Sequence, residues 1–302
     1  MKFDKPHLDI SEQLRLLLDR GLLISNIDSA KHCLGHLNYD RLSHYWIPFL
    51  ENLDTKKFRE GTQFEDILNL YIFDRELRLL VLDGIERVEV SIRSKWAYNF
   101  SKCHGSHAHL NADLFLNGGY WSHETAIQDL QKIVSKSKES FIIQLQKDYS
   151  DRLPPLWALV EIMTFGQLSH WFKNLRYRED RNAVANEYDM NETNLISFLH
   201  HLTLIRNKCS HHSRLWNCDF PIKIKLPKNR PTIIAESINK VKVSESKIYN
   251  TLVILIHLLN IIDPDHEWKD RFLSLVNKHR IDLHKMGFPQ NWENLPIWKS
   301  DI

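Results

Sequence analysis

Helix breakers are scarce in this chain. Its 302 residues include only 9 Gly and 10 Pro, and the prolines gather in a few places. That excludes collagen-like, linker-like and low-complexity classes and favours long helices. The 4 cysteines (Cys33, Cys103, Cys209, Cys218) have no CxxC spacing, which argues against a disulfide scaffold or a zinc ribbon. The longest apolar run, Thr251 to Ile262, is interrupted by His257 and Asn260 and is too short for a bilayer. The segment MKFDKPHLDIS has no apolar signal core, so a cytoplasmic, non-membrane protein is expected. Strong net charge is missing too: the formal value is +2, so any attraction for a polyanion must be local.

What is present is ordinary globular material, 43% hydrophobic and 26% charged, with an unusual 17 His. Apolar residues recur at spacings of three and four from Gln63 to about Phe100, predicting one long helix in which Gly84 either kinks the axis or admits a close neighbour. Shorter helices are expected from Ser11 to Gly21 and from Asp28 or Ser29. Others are expected over 124–147, from Leu156, over 167–175, from Asn191 or Thr193, and near 244–262 and 265–281. The charged segment 177–189 reads as exposed. Ile222-Lys223-Ile224-Lys225-Leu226 alternates like a short strand. The fold class is therefore all-α, with at most a short β-hairpin.

The run Arg206-Asn207-Lys208-Cys209-Ser210-His211 is the most informative stretch. On an ideal helix over 195–217, with Arg206 at zero, Phe198, Leu202, Ile205, Cys209 and Trp216 fall between roughly 260° and 320°. Asn207, His211 and Arg214 fall between roughly 80° and 140°, nearly opposite that core face. Arg206 stands at the boundary and His212 at the edge of the apolar arc. A solvated face ending in a capping histidine fits this geometry equally well. The chemistry suggests more. Metal-independent RNA cleavage needs a base for the 2′-OH, an acid for the 5′-oxygen and positive charge on the phosphate. His211 suits proton transfer, Arg206 suits bidentate phosphate contact, and Asn207, one turn before His211, suits orientation of either. One copy supplies few proton-transfer groups; two copies across a two-fold axis supply two His and two Arg, which predicts a homodimer.

The same residues carry a resemblance. Arg206-Asn207-x-x-x-His211 is similar to the R-polar-x(3-5)-H signature of the HEPN superfamily of all-α ribonucleases and RNA-binding domains. The longer run to Asn217 resembles the Abi family, the AbiD/AbiF-like abortive-infection proteins of bacteria. The likeness continues in Asn38–Tyr45, Phe58–Phe64, Leu70–Arg78, Ile85–Arg93, Pro155-Leu156-Trp157, Thr164–Ser169, Lys247–Leu252 and Met286–Pro289. The tyrosine pair often seen near Tyr39 is Tyr39-Asp40 here, which leaves any role for position 40 open.

The resemblance implies a HEPN-type helical bundle with N- and C-terminal helical extensions. We expect a small helical region over 1–60, a HEPN-like core over 61–218 with its catalytic helix at 194–217, and an extension over 219–302 packed on that core. It further implies anti-phage defence by RNA cleavage, with Arg206, Asn207 and His211 catalytic, leaving a 2′,3′-cyclic phosphate. A small structured non-coding RNA is an implied partner. The alternative is a non-catalytic RNA-binding sensor of a defence or toxin–antitoxin system.

His212, Arg214, Asn217 and the i, i+4 pair Glu89 and Arg93 are supporting candidates; for the pair a purely structural ion pair is the favoured reading and an anchor for Arg206 the competing one. Lys223, Lys225, Lys228 and Arg230, with Arg41, His44, Tyr45 and Arg78, are candidates to hold RNA backbone and stack a base; an ordinary solvated face is the competing reading. Cys103-His104-x-x-His107-x-His109 lacks a matching Cys pair and reads as a polar loop. No metal and no cofactor are expected.

Overall fold

The computed structural model describes residues 7–299; residues 1–6, part of the segment read above as lacking a signal core, lie outside the described residues. Thirteen α-helices are described: α1 (Ile10–Asp19), α2 (Ile27–His36), α3 (Tyr39–Trp46), α4 (Phe64–His104), α5 (His123–Lys136), α6 (Ser140–Asp148), α7 (Leu156–Ile162), α8 (Phe165–Lys173), α9 (Arg178–Ala185), α10 (Glu192–Ser210), α11 (Thr232–Ser237), α12 (Tyr249–Ile262) and α13 (Trp268–His279). Among the described residues β-pairing is limited to isolated bridges such as Leu50 with Phe58, so the protein is all-α. No described helix is long and apolar enough to cross a membrane.

The chain forms two compact units. The first holds residues 7–77 with Leu273–Ile281. Here α1 is capped by Asp9, two residues before the expected Ser11, because Asp9 and Glu12 form a reciprocal capping box at 2.7 and 2.8 Å. Asn38 caps α3, whose Leu42, Tyr45 and Trp46 turn inward. Trp46 meets Phe58 edge to face, and the Tyr45 hydroxyl donates to the fully buried Asp74 carboxylate at 2.7 Å. The aromatic stretch around residue 45 is thus core before it is surface.

The second unit holds Arg78–Phe272 with residues 282–299. Residues 78–104 of α4 bury Val81, Ile85, Val88, Ile92 and Trp96 at helical spacing. Helix α12 is apolar on every side and buried along most of its length. Gly84 admits a close approach and does not break α4: a Cβ there would lie 2.9 Å from both Leu255 Cδ2 and Trp268 Nε1.

Four expectations are corrected. The 124–147 helix is two, α5 and α6, divided at Ser137 and Glu139, whose extended backbones end one and precede the other. The charged 177–189 segment contains α9, with Val184 and Ala185 buried. Among the described residues, 222–226 have no partner strand. The Lys225 amide donates instead to Ser197 Oγ at 2.8 Å and its carbonyl accepts from Asn194 Nδ2 at 2.7 Å, so α10 side chains satisfy the backbone that a sheet would have used. The motif helix ends at Ser210, seven residues before Asn217.

Candidate active site at the end of α10

Helix α10 begins where Asn191 Oδ1 accepts from the Asn194 amide at 2.9 Å. Its inner side is Leu195, Phe198, Leu202, Ile205 and Cys209, all buried. A second side faces Gly166 on α8, where an added Cβ would sit at an ordinary contact distance of 3.5 Å from Thr203 Cγ2. A third side holds the extended 222–225 segment through Asn194, Ser197 and His201. His201 donates from Nδ1 to the Ile222 carbonyl at 2.7 Å and accepts at Nε2 from the Thr251 hydroxyl at 2.8 Å. Burial pushes its pKa down to about 4, so this imidazole is a neutral clasp.

The helix stops in a Schellman turn. His211 is the C-cap, its amide 2.9 Å from the Asn207 carbonyl. His212 takes a left-handed φ of 57°, its amide bonds Cys209 O at 3.0 Å, and the Ser213 amide bonds Lys208 O at 2.8 Å. No glycine marks this turn, which is why the helix was expected to continue. Its end withdraws the ideal-helix placement of Arg214 beside His211; Arg214 lies half-buried in the segment beyond the turn. Trp216 is buried without being helical.

Asn207 and His211 are exposed, and the Arg206 side chain is 39% exposed. Arg206 Nη1 approaches Asn207 Oδ1 at 3.5 Å, and its Nε lies 4.0 Å from Glu89 Oε2. Glu89 is nearly buried and its other oxygen is bonded by Arg93 Nη2. Arg93 is held in turn by the carbonyls at the end of α7, with Glu161 O at 2.6 Å and Met163 O at 2.7 Å. Of this pair, Glu89 faces Arg206 and Arg93 stands behind it. The backbone anchors of Arg93 were not foreseen, because carbonyls leave no mark in a sequence.

The other candidates divide. His212 is exposed at the turn. Asn217, also at positive φ, accepts from Lys247 Nζ at 3.3 Å and so braces the chain after the motif. Lys223, Lys225, Lys228 and Arg230 are all exposed on the segment that α10 clasps, with Lys223 3.6 Å from Glu245. In the first unit Arg41 is half-buried and His44 exposed, but Tyr45 is 2% exposed and offers no face for stacking a base. Arg78, in the second unit, is 5% exposed and equally withdrawn.

Among the described residues no group of three or more His, Cys, Asp or Glu converges as metal ligands would. In the Cys103–His109 stretch, Cys103 is exposed, His104 bonds Asp180 at 2.9 Å and His109 is fully buried. Burial and the neighbouring His107 and His123 lower the His109 pKa to about 3.

An exposed Asn and His one turn apart, with an arginine beside a nearly buried carboxylate, can hold a phosphodiester and move a proton at an attacking or leaving oxygen next to it. Comparison with curated proteins and with solved structures gives no match. A family model described as Abi-like protein matches residues 32–217, which takes in α3 through the whole of α10 and its terminal turn, and by this match over more than half its length the chain belongs to the Abi-like protein family.

Proposed function

We propose that this protein is a metal-independent endoribonuclease of the HEPN type, acting in abortive-infection defence. The observation that carries the reading is the arrangement at the end of α10. Asn207 and His211 face solvent one turn apart, while Arg206 is steered from behind by Glu89 at 4.0 Å. In this mechanism Arg206 holds a non-bridging phosphate oxygen. His211 takes the proton of the 2′-OH, the 2′-oxygen attacks the phosphorus, and the 5′-oxygen leaves. A second His211, from another copy in a homodimer, protonates that leaving oxygen. The products are a 2′,3′-cyclic phosphate and a 5′-OH, and DNA, lacking the 2′-OH, is not cut.

Purified protein incubated with single-stranded RNA and EDTA tests this. Cleavage should survive the chelator, give cyclic-phosphate ends, and fall by about 10²-fold or more in His211→Ala. Loss of cleavage with EDTA, or full activity in the variant, overturns the mechanism.

The second reading, an RNA-binding sensor without catalysis, draws on the exposed Lys223, Lys225, Lys228 and Arg230, in a segment whose residues 222 and 225 are bonded by α10. It predicts tight, salt-dependent binding of a structured RNA and no cleavage by any preparation.

A further inference from the structure

A cavity of about 530 Å³ opens in the second unit, between the Ser106-His107 turn, the end of α6 and the start of α7. Its size lies in the range of small-molecule sites, roughly 300–1,000 Å³. Two aromatic side chains line it yet stay largely uncovered: Tyr149 is 62% and Trp157 55% exposed. His107 lines it as well. Its Nδ1 is 3.2 Å from Ser106 Oγ, while its Nε2 is shielded from solvent with no hydrogen-bond partner among the described residues. Asp151 and Arg152, both exposed, add charge to a polar lining that also includes Gln146 and Ser150.

This mixture describes one kind of ligand. Uncovered aromatic rings suit a flat heterocycle. A carboxylate accepts from exocyclic amino groups, and a guanidinium takes a phosphate. A wholly apolar ligand would leave the polar lining unmatched, and a simple anion would use neither ring. The cavity is also joined to the motif by continuous contacts. The Leu156 amide, where α7 starts, bonds Ser106 O at 2.8 Å, and Trp157 is the next residue. At the other end of this seven-residue helix the Glu161 and Met163 carbonyls hold Arg93, which holds Glu89, which faces Arg206.

We propose that this cavity is an effector site for a nucleotide, free or as an unpaired residue of an RNA strand, and that its occupancy acts on Arg206 through α7, Arg93 and Glu89. A ligand that shifts α7 moves the two carbonyls on which Arg93 rests, and so the carboxylate that steers Arg206. Such coupling requires the ligand to favour one position of α7 over another. The binding step stands independently of the catalytic reading; the consequence at Arg206 rests on it.

Calorimetric titration of the full chain with the four ribonucleoside 5′-monophosphates, and with single-stranded 2′-O-methyl tetranucleotides that the proposed reaction cannot cut, tests the site. Saturable binding is expected, weakened about tenfold in Trp157→Leu and in Arg152→Gln and unchanged in Lys285→Ala, an exposed position outside both the cavity and the motif. Monophosphate binding points to a free nucleotide, and binding confined to oligonucleotides points to a strand residue; either supports the site. No binding at millimolar ligand, binding as tight in both cavity variants as in wild type, or binding weakened equally in Lys285→Ala overturns it.

The coupling is read from the ¹H–¹⁵N resonance of the Arg206 Nε group, assigned with Arg206→Lys. It should shift on ligand addition in wild type and stay fixed in Arg93→Lys and Glu89→Gln. No shift in wild type overturns the coupling. Absence of cleavage in every preparation would overturn the nuclease reading instead, since neither measurement depends on turnover.

Discussion

Glu89 is the residue on which the candidate site turns, because it serves two arginines from a nearly buried position. Its pair with Arg93 leaves only 11% and 13% of the two side chains exposed. Removing one partner of such a pair costs about 3–5 kcal/mol, since the other charge stays buried and uncompensated. Glu89→Gln keeps the shape and some hydrogen bonding while releasing the charge that steers Arg206. We expect a lower urea midpoint together with a fall in kcat of about tenfold and little change in KM, because the arginine matters most as charge builds on the phosphate. A purely structural Glu89 would move the midpoint alone, which unfolding and initial-rate measurements on the same preparation distinguish. His201 carries a pH dependence of its own. Its folded pKa of about 4 lies below the ordinary 6.5, so its contribution is complete above pH 6.5 and is lost as pH falls towards 4, where the unfolded chain takes a proton the folded one refuses. From pH 7 to pH 5 the loss is roughly 2 kcal/mol. His201→Leu should be less stable at pH 7, with Ile222 O and Thr251 unpaired, but its urea midpoint should fall by correspondingly less between the two pH values.

At the scale of elements, close packing decides more than propensity does. Replacing a helical glycine by alanine ordinarily stabilises a helix by up to about 1 kcal/mol. At Gly84 the new methyl would meet Leu255 and Trp268 at 2.9 Å, and the indole is tied by its Nε1 to Leu80 O at 2.7 Å. Overpacking of this kind costs about 1–3 kcal/mol, so Gly84→Ala should lower the thermal midpoint despite the better helix former. A raised midpoint would mean that α4 and α12 part more easily than this contact implies. The same contact shows what the sequence could and could not reveal. The apolar spacing along α4 and the cap at Asn191 were legible because periodicity and capping are local. The choice at Gly84 between kink and close approach was not, since it depends on Leu255 and Trp268, 171 and 184 positions away. The end of α10 was hidden for a different reason: a histidine, where glycine is usual, takes the left-handed position. The apparent strand at 222–226 was likewise misread. Its alternation is real, but its hydrogen bonds go to Asn194, Ser197 and His201, which are distant in sequence and unremarkable in type.

At the scale of the whole molecule, the question is how many copies make one active site. A single α10 ends in one Arg206 and one exposed His211, whereas the proposed reaction asks for a base and an acid at the same phosphate. If each copy worked alone, mixing wild type with inactive His211→Ala would dilute activity in proportion to the wild-type fraction. If the site is shared across a two-fold axis, a mixed pair lacks one of the two histidines and only fully wild-type pairs cleave at full rate. Equal amounts, co-expressed and randomly paired, should then retain about one quarter of wild-type activity rather than one half. Differently tagged copies allow each species to be purified and assayed separately, and size-exclusion chromatography with light scattering gives its mass against the monomer's 35.9 kDa. A mixed pair that cleaves at half the wild-type rate would mean that each His211 acts alone. The acid for the leaving 5′-oxygen would then have to come from the same copy, and His212, exposed beside His211 at the turn, is the first residue to substitute.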